Sequence, residues 1–395
     1  MKISKKAGAI APSLTLAITA KANAMKAAGQ SIIGFGAGEP DFTTPEYICN
    51  AGKRAMDAGQ TKYTPSAGLA TLRGAICAKL DSDNGLEYTP NQIVVSNGAK
   101  HSLYNALYAV IDEGEEVIIP APFWLTYPEL VSMVGGVPVY VSTTEENGFK
   151  MTAEQLISAI TPKTRAIILN TPSNPCGAVY TKAELESLAK VLEDKDIYVI
   201  SDEIYEKLVY SGKHHSIASC SESMKEKTII VNGLSKSYAM TGWRMGYVAA
   251  PLAVAKAIDS VQSHMTSNIS SITQHAAIAA LTEESDFIYK LKAIFTERRD
   301  VLVEGVNAIE GLSARTPAGA FYVFVNITAW KGKSYNGKKM ETSIDICDGL
   351  LDVGIAPVPG AAFGDDDFVR FSYAISVQDI KEGLSRLENF GTLLK

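Results

Sequence analysis

Seven short apolar runs recur along the middle of the chain: Ile93-Val-Val-Ser96, Glu116-Val-Ile-Ile119, Val137-Pro-Val-Tyr-Val141, Ala166-Ile-Ile-Leu169, Ile197-Tyr-Val-Ile200, Thr228-Ile-Ile-Val231 and Gly246-Tyr-Val-Ala249. They are short, rich in β-branched residues and show no polar face, the pattern of strands covered on both sides. Between them, apolar residues return every three or four positions, as in Lys100–Val110, Glu129–Val134 and Lys182–Leu192. That period belongs to helices with one buried face. The alternation predicts an α/β fold, a mostly parallel sheet flanked by helices, over residues 46–297. From about Arg298 the order changes to a helix (Glu297–Ile309), a strand (Ala320-Phe-Tyr-Val-Phe-Val325), a helix near Ser343–Val353, a strand (Phe368-Val-Arg-Phe-Ser-Tyr373) and a last helix. A smaller α+β domain is expected there, formed by 13–45 with 298–395, and residues 1–12 are expected to be an N-terminal arm. The basic, two-glycine segment Lys331–Lys339 reads as a surface loop.

Near the N-terminus, Leu14, Ala17, Ile18, Lys21, Ala22 and Met25 keep helical spacing as far as Gly29. Early lysines, an apolar middle and Ala22-Asn-Ala24 imitate a secretory leader. Pro12, Ser13, Thr15 and Thr19 interrupt that middle, so the segment reads as a proline-started amphipathic helix. No apolar run approaches the ~20 residues of a membrane span. Composition agrees with a globular chain of more than one domain: 395 residues, 46% apolar and 20% charged. A net charge of −6 provides no basic footprint for nucleic acid. Cys49, Cys77, Cys176, Cys220 and Cys347 are scattered without metal-ligand spacing, which points to reduced thiols and the cytoplasm.

Chemistry concentrates where these strands end, the place where open α/β sheets bind ligands. Lys236 lies in Asn232-Gly-Leu-Ser-Lys-Ser-Tyr-Ala-Met-Thr-Gly-Trp-Arg244. A lysine with little to solvate it has a lowered pKa, and a neutral amine attacks carbonyls. Arg244 offers a planar fork for phosphate. An aldehyde and a phosphate together are what pyridoxal phosphate presents; alone, a lysine between serines is more often a solvated loop residue. Asp202 ends a buried strand in Ser201-Asp-Glu-Ile-Tyr205, where a carboxylate needs a cation such as a pyridinium nitrogen, or else caps a helix. Tyr205 follows within one turn. Asn170-Thr-Pro-Ser-Asn-Pro-Cys-Gly177 is a proline-stiffened loop offering side-chain amides, or an ordinary turn. Ser96-Asn-Gly-Ala-Lys100 is a strand-to-helix turn whose free N–H groups favour phosphate. Gly34-Phe-Gly-Ala-Gly-Glu-Pro40 has the wrong spacing for a dinucleotide fingerprint. Arg370 sits in an apolar strand and requires a carboxylate; taken alone, a structural partner is favoured over a substrate.

Together these motifs resemble the class I and II aminotransferases, pyridoxal-phosphate enzymes of the aspartate aminotransferase fold, from Gly36-Ala-Gly-Glu-Pro-Asp-Phe42 to Arg370. Within that family the prokaryotic aspartate aminotransferases are most similar. The resemblance implies that Lys236 carries the cofactor covalently, with Asp202 under the ring nitrogen and Tyr205 and Asn174 on the ring oxygen. It implies phosphate contacts from Ser235, Arg244 and the turn Gly98-Ala99-Lys100, and from Tyr63 of a neighbouring subunit in a homodimer with sites at its interface. Trp124 would stack on the ring, Arg370 grip the substrate α-carboxylate, and Gly38 close by its backbone. Gln262-Ser-His-Met-Thr-Ser-Asn-Ile269 holds no arginine for a distal carboxylate, and Lys100 takes that role in the branch resembled. Ala11 stands before Pro12-Ser13 where prephenate-active members have a basic residue, which argues against prephenate. The implied reaction moves the amino group of aspartate to 2-oxoglutarate; aromatic or alanine donors and β-elimination are the rival chemistries. A cofactor-sensing regulator would need a fused DNA-binding domain, and only about forty residues precede the Gly-Glu-Pro motif.

Overall fold

The computed structural model describes residues 2–8, 10–12 and 14–395. Met1 and Ala9 of the expected arm, Ser13, and the side chains of Leu14 and Thr19 lie outside the described residues. All seven apolar runs become strands of one sheet: β1 (Ile93–Ser96), β2 (Glu116–Ala121), β3 (Val137–Ser142), β4 (Thr164–Asn170), β5 (Tyr198–Asp202), β6 (Thr228–Gly233) and β7 (Gly246–Ala249). Their spatial order is β1-β7-β6-β5-β4-β2-β3. β7 runs antiparallel to both neighbours, and every other pair is parallel.

Alternate residues of each strand feed opposite helical layers, because strand side chains alternate across the sheet. Val94, Ile119, Ile168, Ile200, Val231 and Val248 pack with Leu103 and Leu107 of the helix Ala99–Val110 and with Ile258 of Leu252–Met265. On the other face, Ile93, Val95, Ile230 and Tyr247 meet Leu72, Ile76 and Leu80 of Ala70–Asn84. Farther along that face, Ile167, Leu169 and Val199 meet Leu185, Leu188 and Leu192 of Lys182–Leu192. Each such aliphatic side chain contributes about 1.5–3 kcal/mol by leaving water. β3 departs from the expectation of burial on both faces: Val141 alone among its six residues is buried. It is the sheet edge, which is where a strand tolerates Pro138.

A second, antiparallel sheet runs Val358–Pro359, Phe368–Ser372, Tyr322–Asn326, Ser313–Ala314. Helices Phe287–Asn307 and Val377–Leu393 cover it through Phe295, Leu302, Val306, Ile380 and Phe390. The first begins ten residues before the expected Glu297. No glycine or proline interrupts it until Gly305, and Leu291 and Phe295 share one core with Leu302 and Val306, so the helix runs unbroken past Arg298. The expected loop Lys331–Lys339 is instead a hairpin, Ser334–Tyr335 paired with Lys338–Lys339. Asn336 and Gly337 both take positive φ at its tip, the conformation that Asn-Gly hairpin turns require.

The N-terminal helix spans Leu14–Ala27. Beyond it Ile33–Gly34 pairs in parallel with Ile355–Ala356 as a separate two-stranded sheet, and the Phe35 carbonyl accepts from the N–H of Ser372, in the second sheet, at 2.8 Å. Asp41 is clamped by both terminal nitrogens of Arg298, at 2.7 and 2.9 Å. No helix among the described residues is long and apolar enough to cross a membrane.

Candidate active site

A cavity of about 260 Å3 opens at the C-terminal ends of the parallel strands. It gathers Gly38, Ala99, Lys100, Trp124, Asn174, Asp202, Tyr205, Ser235, Lys236, Arg244 and Arg370 from segments that are remote in sequence. Gly98 flanks the wall without lining it. Tyr63 is not brought in; its ring is 92% exposed on the surface of its own chain.

Four cations and one buried acid define the electrostatics of this space. Lys236 follows β6, donates from Nζ to the Gly38 carbonyl at 2.5 Å and lies 5.9 Å from the Phe321 ring centre. Burial pulls its pKa down to about 8, opposed by the Glu39 carboxylate and helped by Arg244 and Arg370. Glu39 itself accepts from the Thr241 hydroxyl at 2.6 Å. Arg244, at φ +56°, donates to the Thr241 and Asn97 carbonyls. A Cβ at position 98 would sit 2.5 Å from its Nη2, so Gly98 is what lets the guanidinium lie against the helix start. Lys100 stands 4.9 Å from the Trp124 ring centre, its pKa lowered by burial and then by Arg244.

Arg370 is buried in the strand Phe368–Ser372. Its Nη1 donates to Asn174 Oδ1 at 2.8 Å and its Nη2 to the Gly36 carbonyl at 3.1 Å. Its plane lies 4.3 Å from the Tyr322 ring centre and 4.9 Å from that of Phe363, and its Nε has no protein partner. No carboxylate pairs with it among the described residues, so the structural partner favoured for an isolated arginine is absent. Lys100, Lys236 and Arg244 likewise form no ion pair there; their contacts are the carbonyls and ring named above. A cavity so lined attracts a ligand with several negative charges.

Asp202, the last residue of β5, is fully buried, and burial lifts its pKa to about 6 even though a hydrogen bond from Tyr127 works against the rise. Tyr127 donates to Oδ2 at 2.7 Å, and the Ile204 N–H to Oδ1 at 3.2 Å. Tyr205 exchanges a 2.9 Å hydrogen bond with Tyr322. Tyr127, Tyr322 and Thr241 are lining residues that sequence reasoning did not single out. One signal was available for the first: Tyr127 lies three residues after Trp124, and their rings meet edge to face at 5.4 Å. For Tyr322 the cue was a hydroxyl inside an apolar strand, which needs a partner when buried.

Two neighbouring features have structural explanations. Gln262, which opens the arginine-free segment, is buried and bonds the Ser96 and Asn105 side chains and the Ser66 and Val95 carbonyls. Glu203, beside Asp202, accepts from Ser201 and Ser216 and meets His214 at 3.0 Å, while Glu206 pairs with Lys79. Lys79 and His214 are the basic groups that face the two acids. Near the N-terminus, Ala11 and Pro12 are exposed.

A lysine of lowered pKa, a buried acid and three further cations without ion-pair partners are thus gathered at the end of an α/β sheet. Residues 30–387 match the family described as aminotransferase class I and II. The aspartate aminotransferase of Bacillus subtilis (strain 168) is 47% identical over 391 residues, covering 99% of both chains. That of Geobacillus stearothermophilus is 46% identical, again over 99% of both. The crystal structure of the aspartate aminotransferase from Rhizobium meliloti superposes with a TM-score of 0.97 at 43% identity, covering 100% of both chains. The chain belongs to the class I and II aminotransferases and has their fold.

Proposed function

We propose that this aminotransferase moves the amino group of L-aspartate to 2-oxoglutarate with pyridoxal 5′-phosphate as cofactor, giving oxaloacetate and L-glutamate in ping-pong order. The observation that carries this reading is the single cavity holding Lys236, Asp202 and three further unpaired cations. The residues fit the cofactor. Gly98 has no side chain where one would strike Arg244, which leaves the helix start, Ser235 and Arg244 together as a phosphate cradle. Asp202 is a buried acid with a vacant preference for a cation, as its raised pKa of about 6 records. When bound, the cofactor supplies an aldehyde that carries the amino group and a ring that stores electrons.

The chain's own groups do the rest. Lys236 would anchor the cofactor, and its amine would hold and move the proton of the substrate α-carbon. Its lowered pKa makes a neutral amine accessible near neutral pH. Arg370, with Nε unpartnered, receives the α-carboxylate, and Lys100 the distal one. Trp124 would cover the ring, and Tyr205 and Asn174 would donate toward its oxygen. Gly38 closes over the substrate by its backbone. A donor–acceptor panel on the purified protein, with oxaloacetate and glutamate measured, tests the assignment; pyruvate and ammonia without an acceptor would mean a lyase instead. Lys100→Ala is expected to lower kcat/KM for aspartate about 10- to 100-fold, the worth of a charge-assisted hydrogen bond, and to leave alanine nearly unchanged. An equal fall for both donors would remove Lys100 from the distal-carboxylate role.

We also read the protein as a cytoplasmic homodimer, with 13–45 and 298–395 forming one smaller domain. Five unpaired cysteines support a reducing compartment. The ties from residues 33–35 to Ile355 and Ser372 support the domain grouping. Tyr63, outside its own cavity, is the residue we assign to the neighbouring subunit's phosphate. Tyr63→Phe is expected to weaken cofactor binding about tenfold. Mixed with Lys236→Ala protein, it should regain tight binding in the hybrid site that combines an intact lysine with the other chain's Tyr63. Absence of that recovery would place Tyr63 in its own chain's service.

A further inference from the structure

We infer that Asn170 is a positioning residue that couples the acid end of the cavity to its carboxylate-binding end. The inference rests on the cofactor and substrate reading above. β4 and β5 pair in parallel with Asn170 directly opposite Asp202. The Asn170 side chain spans the junction with both ends of its amide: Nδ2 donates to the Asp202 carbonyl at 3.0 Å, and Oδ1 accepts from the Asn174 N–H at 2.8 Å. The Thr171 N–H donates to the same Asp202 carbonyl at 3.2 Å. Asn174 in turn gives its Oδ1 to Arg370 at 2.8 Å. A continuous hydrogen-bonded chain therefore runs Asp202–Asn170–Asn174–Arg370.

Each link has a distinct physical duty. Asp202 is the end of a strand, where regular sheet pairing stops, so its carbonyl needs other donors to hold the backbone still. The carboxylate four bonds away inherits that fixity. Asn174 is buried in a loop, and its N–H has no strand partner; Asn170 is the group that satisfies it. With Asn174 Oδ1 committed to Arg370, the orientation of the guanidinium depends on where Asn170 holds the loop. A primary amide is the side chain with a donor and an acceptor on one planar group, which is what bridging a carbonyl and an N–H requires. Asn170 lines the cavity as well, so movement of a ligand at either end reaches it.

The test compares wild type, Asn170→Ala and Asn170→Ser, all loaded with pyridoxal phosphate, by three measurements: melting temperature, the pH midpoint of the bound cofactor's visible absorbance, and the Kd of succinate, a dicarboxylate without an amine. The expected result for Asn170→Ala is a midpoint displaced by about 0.5 unit or more together with a succinate Kd raised about fivefold or more. Asn170→Ser, which keeps a polar oxygen on the same Cβ, should fall between alanine and wild type, and it carries the test if the alanine protein does not fold. A lower melting temperature with unchanged midpoint and unchanged Kd would make Asn170 merely structural and overturn the inference. A shift at one end alone would also overturn it, because the coupling is the claim. Wild-type protein without a visible band would instead defeat the cofactor reading beneath it, an outcome distinct from the other two.

Discussion

Lys236→Ala is expected to reduce turnover of aspartate with 2-oxoglutarate by about 10⁴-fold or more, the upper range for loss of a general base, with loss of the covalent anchor in addition. Borohydride treatment of the wild-type protein should fix the cofactor to the peptide that contains Lys236, and the alanine protein should give no such peptide. Retained turnover with label elsewhere would end the assignment. The lowered pKa adds two consequences. With a value of about 8, roughly one amine in ten is neutral at pH 7, some hundreds of times more than for a lysine at 10.5. Cofactor capture should therefore slow about tenfold per pH unit below pH 7. The same shift means that the native fold disfavours the charged amine, a penalty present at neutral pH that fades as pH rises through about 8 and toward 10.5. Cofactor-free Lys236→Ala should accordingly melt no lower than wild type, as scanning calorimetry would register.

Asp202→Asn should lower kcat by about 10³-fold, the scale of a lost preorganised electrostatic contact, while keeping nearly the same volume. A drop smaller than tenfold would show that the acid does not serve the ring. The pH dependence has a definite sign. The native pKa of about 6 lies above the ordinary 3.8, so the cofactor-free fold prefers the protonated acid and loses stability as pH rises through that interval. A cation bound against Asp202 reverses the preference. Cofactor affinity should thus weaken as pH falls through about 6 in the wild type, and this component should vanish in Asp202→Asn. The asparagine protein should also melt higher than wild type at pH 7 when both lack cofactor, because the buried charge is gone.

Much of this could be read from the chain itself, and the misses have physical causes. Runs such as Thr228-Ile-Ile-Val231 and Ile93-Val-Val-Ser96 announce buried strands because β-branched residues without a polar face have few other uses. Lys236, Asp202 and Arg370 stood out because each is a charge in apolar surroundings, and the structure leaves each of them without an opposite charge in direct contact. Tyr127 and Tyr322 gave only faint cues for the converse reason: an aromatic side chain inside an apolar pattern looks like packing until its hydroxyl is found on Asp202 or Tyr205. The start of the helix at Phe287 was missed because the pattern change at Arg298 looks like a boundary, although Leu291 and Phe295 face the same core as Leu302 and Val306. The edge position of β3 could have been taken from Pro138, which cannot donate to a neighbour. Asn170 looked like one of two equivalent loop amides; only the opposition of Asn170 and Asp202 across two parallel strands distinguishes them.

The tie between residues 33–36 and residues 355–372 bears on how the enzyme is made. Gly36, near the beginning, supplies a carbonyl to Arg370, which the ribosome adds more than three hundred residues later. Ile33 and Phe35, buried beside that carbonyl, must wait for Ile355 and Phe371 before water is excluded from them. Residues 33–35 therefore stay greasy and unpaired until those partners are made, a segment open to chaperone capture or clumping. The Arg370 end of the cavity is therefore among the last parts to form, and a product truncated before residue 370 would hold the sheet without that guanidinium.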